Sequence, residues 1–244
     1  MRILLKNFAA ITLAKAEGGI LENVSIAIDS GKIIKIARDL DELPPRDYDR
    51  VIDGEGRVVI PGLVNAHTHA AMTLLRGYAD DLPLMRWLGE GIWKAERKLT
   101  PEDVYWASLL AAIEMIRSGT TSFADMYFFM DEVAQAVEES GMRALLAWGV
   151  VSPEVSPEAS EPEKELGKAI DLVERWDGHA GGRIKTAFAP HSAYSCSEEL
   201  LERIVRLAKE HDTRIHIHIA ETRDEVEEIQ RRKGLSPVRF LDQL

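Results

Sequence analysis

From Val58 onward the sequence alternates between short apolar runs and longer amphipathic ones, and that rhythm leaves few folds open. VVIPGLVNAHTH, TTSFADMY, RALLAWGVV, IKTAFAPH and RIHIHIAET read as strands. PEDVYWASLLAAIEMIRSG, MDEVAQAVEESG, EKELGKAIDLVERW, SEELLERIVRLAKEH and the stretch from Asp224 to Lys233 read as the helices that follow them. Gly119 and Gly141 act as stops, and Ser197 with Glu198 and Glu199 suits a helix start. Such alternation predicts a parallel sheet, and the near-continuous apolar character of its strands fits burial on both faces. An open doubly wound sheet and a closed (β/α)8 barrel of the TIM type both satisfy this pattern. A barrel needs eight strands and usually about 250 residues. Five strand–helix units are visible, and SPVRFLDQL closes the sequence as a helix. The expectation is therefore an α/β fold that is either an open sheet or the first part of something larger.

Before that point the chain has a different texture. ILLKNFAAITLA, ENVSIAIDSGKIIKIA and RVVI are alternating or apolar runs, and Asp29-Ser30-Gly31-Lys32 reads as a hairpin turn. LDELPPRDYDR is a polar connection, and SPEVSPEASEPE is an acidic, proline-rich surface loop. These shifts divide the chain into a β-rich segment, 1–57, and a strand–helix segment, 58–244.

Composition narrows the function. With 244 residues, 45% of them hydrophobic, the chain can bury a sizeable core. A net charge of −11 argues against nucleic acid or an anionic membrane as the main partner. No apolar run approaches the ~20 residues of a membrane span. The apolar start is broken by Lys6 and Asn7 and runs on into strand-like sequence, unlike a signal peptide. Cys196 is the single cysteine, which excludes an internal disulfide, fits a reducing cytoplasm and excludes deaminases built on a Cys-x-x-Cys pair.

The chemistry concentrates in the histidines. His67 and His69 lie two apart on a predicted strand, so their side chains point the same way, about 7 Å apart along the backbone. Alone, such a pair reads equally well as ligands of one ion or as ordinary strand-end residues. His191, His216 and His218 also fall at or near strand C-termini, where parallel-sheet enzymes place their chemistry, and Asp125 is close to another. That clustering favours a metal site. Glu221, three residues beyond His218, is placed to carry a proton for a metal-activated water, or else to cap the next helix together with Thr222. His179 and His211 fall in a loop and at a helix end and read as solvated surface. In DEVEEIQRRKG, Glu227 with Arg231 and Glu228 with Arg232 pair at i, i+4 as a solvated face.

PGLVNAHTH, the helix carrying Glu96 and ending at Leu99, RSGTTSFADMY, APHSAYS and HIHIAET together resemble the amidohydrolase superfamily, in particular its 5′-methylthioadenosine/S-adenosylhomocysteine deaminase branch. The resemblance runs through essentially the whole chain. It implies a TIM-type barrel with a small β-sandwich to which the early β segment contributes. It implies His67, His69 and His218 as ligands of one divalent ion, zinc by default with iron or manganese admitted by such ligands. Glu221 becomes the proton shuttle, and His191 a contact that steadies the purine or its developing charge. Glu96 would accept from the two ribose hydroxyls, and Trp87 would line the purine pocket.

Two departures stand out. The superfamily completes its site with a histidine on the sixth barrel strand and an aspartate on the eighth, and this sequence ends before either strand. Trp148 stands where many members of the branch carry an arginine, which tilts the expected substrate towards methylthioadenosine over S-adenosylhomocysteine. The implied reaction is hydrolytic deamination of a 5′-modified adenosine. Hydrolysis of guanine or a triazine is the rival enzyme reading. An inactive fragment, or half of a split enzyme, is the third. A homo-oligomer or a complementing chain that supplies the missing strands remains open as a partner.

Overall fold

The computed structural model describes residues 1–13, 19–38, 42–152 and 161–244. The chain divides into two compact units, Met1–Gly62 and Leu63–Leu244. The residues of the proline-rich loop from Pro153 to Ser160 lie outside those described.

The first unit is one five-stranded sheet. Its strands are β1 (Arg2–Ile11), β2 (Ile20–Asp29), β3 (Lys32–Ala37), β4 (Arg50–Asp53) and β5 (Val58–Val59). The order is β3-β2-β1-β4, with β5 also pairing β1; the two hairpin contacts are antiparallel and the pairings of β4 and β5 with β1 are parallel. The expected turn forms at Ser30 and Gly31, with φ of 49° and 77°. Positive φ at both central residues is the geometry whose twist matches that of the flanking strands, and glycine adopts it without steric cost. Leu4, Ala27, Ala37 and Leu43 form one small core, and Ala10, Val24 and Ile26 another. Sequence reading misses β4, because its Val51-Ile52 core directly follows the polar linker.

The second unit carries a parallel sheet of β6 (Leu63–Thr68), β7 (Thr120–Tyr127), β8 (Arg143–Val150), β9 (Ile184–Pro190) and β10 (Arg214–Ile215). Its order is β10-β9-β8-β7-β6, every neighbouring pair parallel. The sequence order never reverses, so no switch point of the doubly wound kind is present among the described strands. Each crossover advances one strand in the same direction, as in a barrel.

The crossovers run through α1 (Pro101–Arg117), α2 (Met130–Ser140), α3 (Pro162–Trp176) and α4 (Glu198–Glu210); α5 (Arg223–Lys233) and α6 (Pro237–Leu241) follow β10. Thr100 and Asp103 form a reciprocal capping box at the start of α1, and Ser197 accepts from the Leu200 N–H at the start of α4. The main core lies between sheet and helices, around Leu146, Phe188, Ile184, Val104, Leu166 and Ile204. The opposite face of the strands packs small residues, Ala147, Ala187 and Ala189, with Met126. No helix among the described residues is long and apolar enough to cross a membrane.

Several elements differ from expectation: VVIPGLVNAHTH, expected as one strand, divides into β5 of the first sheet and β6 of the second. RIHIHIAET holds the ladder only at Arg214 and Ile215 and returns to it in a single bridge between Ser192 and His218. Past Ile215 the run leaves the ladder, and Ala220 turns into the left-handed region at φ 55°. In α5, Arg232 pairs with Glu228 as expected, whereas Arg231 also takes Glu228 and not Glu227.

Candidate metal centre and pocket

β7 holds the end of β6 in place. Asp125, fully buried, offers Oδ1 to the Thr68 hydroxyl at 2.7 Å and to the Ala70 N–H at 2.8 Å. The Thr68 hydroxyl also lies 2.8 Å from the Ala124 carbonyl oxygen. His69 is thus flanked on both sides by residues tied to one carboxylate. Asp125 is therefore a support of the histidine pair and not a member of it. Its Oδ2 is buried without a partner among the described residues, and burial pushes its carboxyl pKa up against the lowering effect of the two bonds.

The imidazoles of His69 and His218 are oriented through their far nitrogens. His69 Nδ1 lies 2.6 Å from the Met126 carbonyl oxygen, and His218 Nδ1 lies 3.0 Å from that of His191. A carbonyl can only accept, so each Nδ1 carries its proton and each Nε2 is left with a lone pair. Those two Nε2 atoms face each other at 3.3 Å. Two nitrogens held ~2.0–2.1 Å from one tetrahedral ion stand about 3.3 Å apart. His67 completes the group, and the ligand atoms of all three lie within 4.8 Å of one another. The residues fit a divalent metal ion.

His191 stands beside this triad, its ring 4.8 Å from that of His218 and its Nδ1 3.0 Å from Ser195 Oγ. Burial and the neighbouring rings of His218 and His69 push its pKa down to about 4. Burial, with His69 and His67 close by, brings His218 to about 4 as well. His216 remains outside the triad, with Nδ1 buried and unpartnered among the described residues. Of the two histidines read as surface, His179 is exposed, but His211 is partly buried with its ring 5.7 Å from that of Phe188.

A pocket of about 470 Å³ opens beside the triad, lined among others by His69, His218, His191, Glu221, Trp87, Trp93 and Glu96. Trp87, Trp93 and Glu96 come from helical turns spanning Leu84–Arg86, Trp87–Ile92 and Trp93–Glu96, the middle one a wide π-turn. That segment packs closely at Gly91, where a Cβ would fall 2.6 Å from the Ala79 side chain. Glu96 Oε1 accepts a 2.7 Å hydrogen bond from the Tyr127 hydroxyl. Burial pushes the Glu96 carboxyl up and, with Glu96 beside it, the Tyr127 phenol up too. Further along the wall, the Trp148 indole N–H donates to Glu165, and Lys168 reaches both Glu165, at 2.9 Å, and the Trp148 ring, at 4.8 Å. Glu221 is exposed at the pocket wall, and its backbone N–H donates to the buried Glu225. Sequence reading misses Tyr127, Ser195, Glu165 and Glu225. Tyr127 is two residues beyond Asp125 on a visible strand, so period-two alternation could have found it; the other three carry no spacing signal.

The geometry now has independent company. Residues 58–244 match the amidohydrolase family, and the chain belongs to that family. Among curated relatives, a protein of Syntrophomonas wolfei named 5-methylthioadenosine/S-adenosylhomocysteine deaminase is 50% identical over the whole chain, which covers 55% of that protein. Among solved structures, a zinc-bound adenosine deaminase from Xanthomonas campestris superposes with a TM-score of 0.87 at 34% identity, over 99% of this chain and 54% of the other. A zinc-complexed atrazine chlorohydrolase of Arthrobacter aurescens shares the fold, with a TM-score of 0.85 at 23% identity over 99% of this chain and 58% of the other. The chain spans about half the length of the curated relatives it matches.

Proposed function

We propose that this chain is the metal-binding portion of a hydrolytic deaminase that converts 5′-modified adenosines to the corresponding inosines. The observation that carries the proposal is the pair of Nδ1-anchored histidines whose Nε2 atoms converge at 3.3 Å, beside a pocket with a partly buried carboxylate at Glu96. The names of the 50%-identical relative and of the zinc-bound structural neighbour support it.

His67, His69 and His218 hold one divalent ion, zinc in preference to iron or manganese given three imidazole nitrogens. When bound, such an ion supplies Lewis-acid activation of a water. Glu221 would take one proton from the attacking water and give it to the purine ring nitrogen, then carry the second, from the new C6 hydroxyl, to the amino group as the C–N bond breaks and ammonia leaves. His191 is neutral near pH 7, so it steadies the purine by hydrogen bonding without adding charge. Ser195, 3.0 Å from its Nδ1, fixes the ring.

Glu96 receives the ribose. Its Oε1 already accepts from Tyr127, and the lone pairs left on the two oxygens suffice for a vicinal diol. Trp87 lines the purine side of the pocket. Near Trp148 the wall presents the Glu165 carboxylate, with Lys168 paired to it. The preference for an uncharged substituent such as methylthio rests on Trp148 itself, an indole where many members of the branch carry an arginine. Guanine and triazines lack the diol, and the partly buried Glu96 argues against them.

Activity is assigned to the full-length protein in a reducing cytoplasm, with a small nucleoside as substrate. For the 244-residue chain alone, three ligands give weak metal binding and little turnover, unless a complementing chain or a second copy completes the sheet. Ammonia release from methylthioadenosine by the zinc-loaded full-length protein tests the proposal. No release from any adenosine or guanine analogue overturns it.

A further inference from the structure

We infer that Glu225 is a positioning residue that fixes the backbone of Glu221, and this rests on the role proposed for Glu221. Glu225 is the third residue of α5 and only 4% exposed. The Thr222 hydroxyl already caps that helix by accepting the Glu225 N–H at 3.1 Å. In an ordinary capping box the carboxylate at this position returns the favour to the capping residue's own N–H. Here it reaches past Thr222: one oxygen accepts the Ala220 N–H at 3.0 Å and the other the Glu221 N–H at 2.7 Å. Both donors precede the helix, so the contact does not satisfy the helix end. It holds the segment that links His218 to Glu221.

That segment would not hold itself. Ala220 sits at φ 55°, a region that non-glycine residues enter at a cost and keep only where the surroundings impose it. Upstream, His218 is tied by both its N–H and its Nδ1 to the His191 carbonyl oxygen, at 2.9 and 3.0 Å. The stretch from His218 to Glu221 is thus pinned at both ends, one pin serving the histidine and the other the glutamate. Because the pins are separate, loss of the Glu225 pin frees Glu221 and leaves His218 in place.

Glu225→Gln tests this in the full-length, zinc-loaded protein. Glutamine keeps the size but offers one acceptor and turns an NH2 towards the second N–H. Thr222→Ala is the control, since it removes the helix cap and spares the carboxylate clamp. Hydrogen exchange of the Ala220 and Glu221 amides is expected to quicken about tenfold in E225Q and stay near wild type in T222A. The kcat is expected to fall about 10- to 100-fold in E225Q, with KM and zinc affinity within about threefold of wild type. If E225Q does not fold, E225D, which keeps the charge and shortens the reach, is read in the same way. Unchanged amide exchange in the glutamate variants, or an equal loss of kcat in T222A, overturns the inference. A wild-type protein that deaminates nothing overturns the proposed function instead, and the amide exchange still decides the part played by Glu225.

Discussion

His69 Nε2 and His218 Nε2 stand 3.3 Å apart across 149 residues of chain, each turned towards the other by a backbone carbonyl behind its ring. Two lone pairs converge because β7 and β9 both deliver a carbonyl to the same rim, Met126 from one and His191 just past the other. Replacing either histidine by alanine is expected to weaken zinc binding by at least about 100-fold. Titration calorimetry on metal-stripped protein measures it. Retained stoichiometric zinc in both variants would remove these residues from the ligand set.

Asp125 supports that pair from below, and the state of its two oxygens separates two substitutions. Asp125→Asn keeps Oδ1 for Thr68 and Ala70 and replaces the Oδ2 that has no partner, so the cost in stability is expected to stay under about 1 kcal/mol. Asp125→Ala leaves the Thr68 hydroxyl and the Ala70 N–H without this acceptor, and about 2–4 kcal/mol is expected to be lost, with zinc affinity about tenfold lower. Urea unfolding midpoints compared across the three proteins decide it.

In the proposed function Glu96 receives the ribose, with Tyr127 donating to its Oε1. Glu96→Gln is expected to raise KM for a nucleoside about 10- to 100-fold, because each of two hydroxyls loses a charged acceptor. Tyr127→Phe frees the carboxylate and is expected to change KM less, by about threefold. An equal KM effect on substrates with and without ribose would place the diol elsewhere.

Acid is expected to destabilise the metal-free protein through His191 and His218. Both have folded pKa values near 4, against an ordinary 6.5. Between those values the unfolded chain binds more protons than the folded one. Stability therefore falls as pH drops from about 6.5 to about 4, then levels. The Glu96 carboxyl, its pKa raised by partial burial, works in the opposite sense. With His218 discounted for its partial contact with water, the loss is of order 3 kcal/mol. Urea midpoints in a chelating buffer from pH 7.5 to 4 measure it. A flat profile would mean that the two rings are not desolvated.

The strand–helix rhythm, the five parallel strands and the histidine rim were legible because they rest on local patterns of period two and 3.6. What escaped was whatever depends on contacts between distant residues. Sequence could not say that Asp125 binds the turn after His69, that Tyr127 meets Glu96 across 31 positions, or that Trp148 meets Glu165. The short β10 escaped for a related reason. RIHIHI has full strand propensity, and only the ladder shows that its outer edge has no neighbour among the described strands.

That edge has its counterpart at β6, the other end of the sheet. Val64 there is 69% exposed and Leu63 51%, and the outer face of α1 shows Trp106, Leu110, Ile113 and Ile116 to solvent. Unpaired strand groups beside apolar side chains form a template for another chain. The 244-residue chain is therefore expected to self-associate with rising concentration, as read by light scattering. Val64→Lys puts a charge on the β6 edge and is expected to reduce the scattering without moving the unfolding midpoint by more than about 0.5 kcal/mol, since the residue is open to water. Full-length protein should respond in the opposite way: if its remaining strands pair with β6, the same lysine is buried and costs stability. A lysine neutral in both contexts would show that nothing covers this edge.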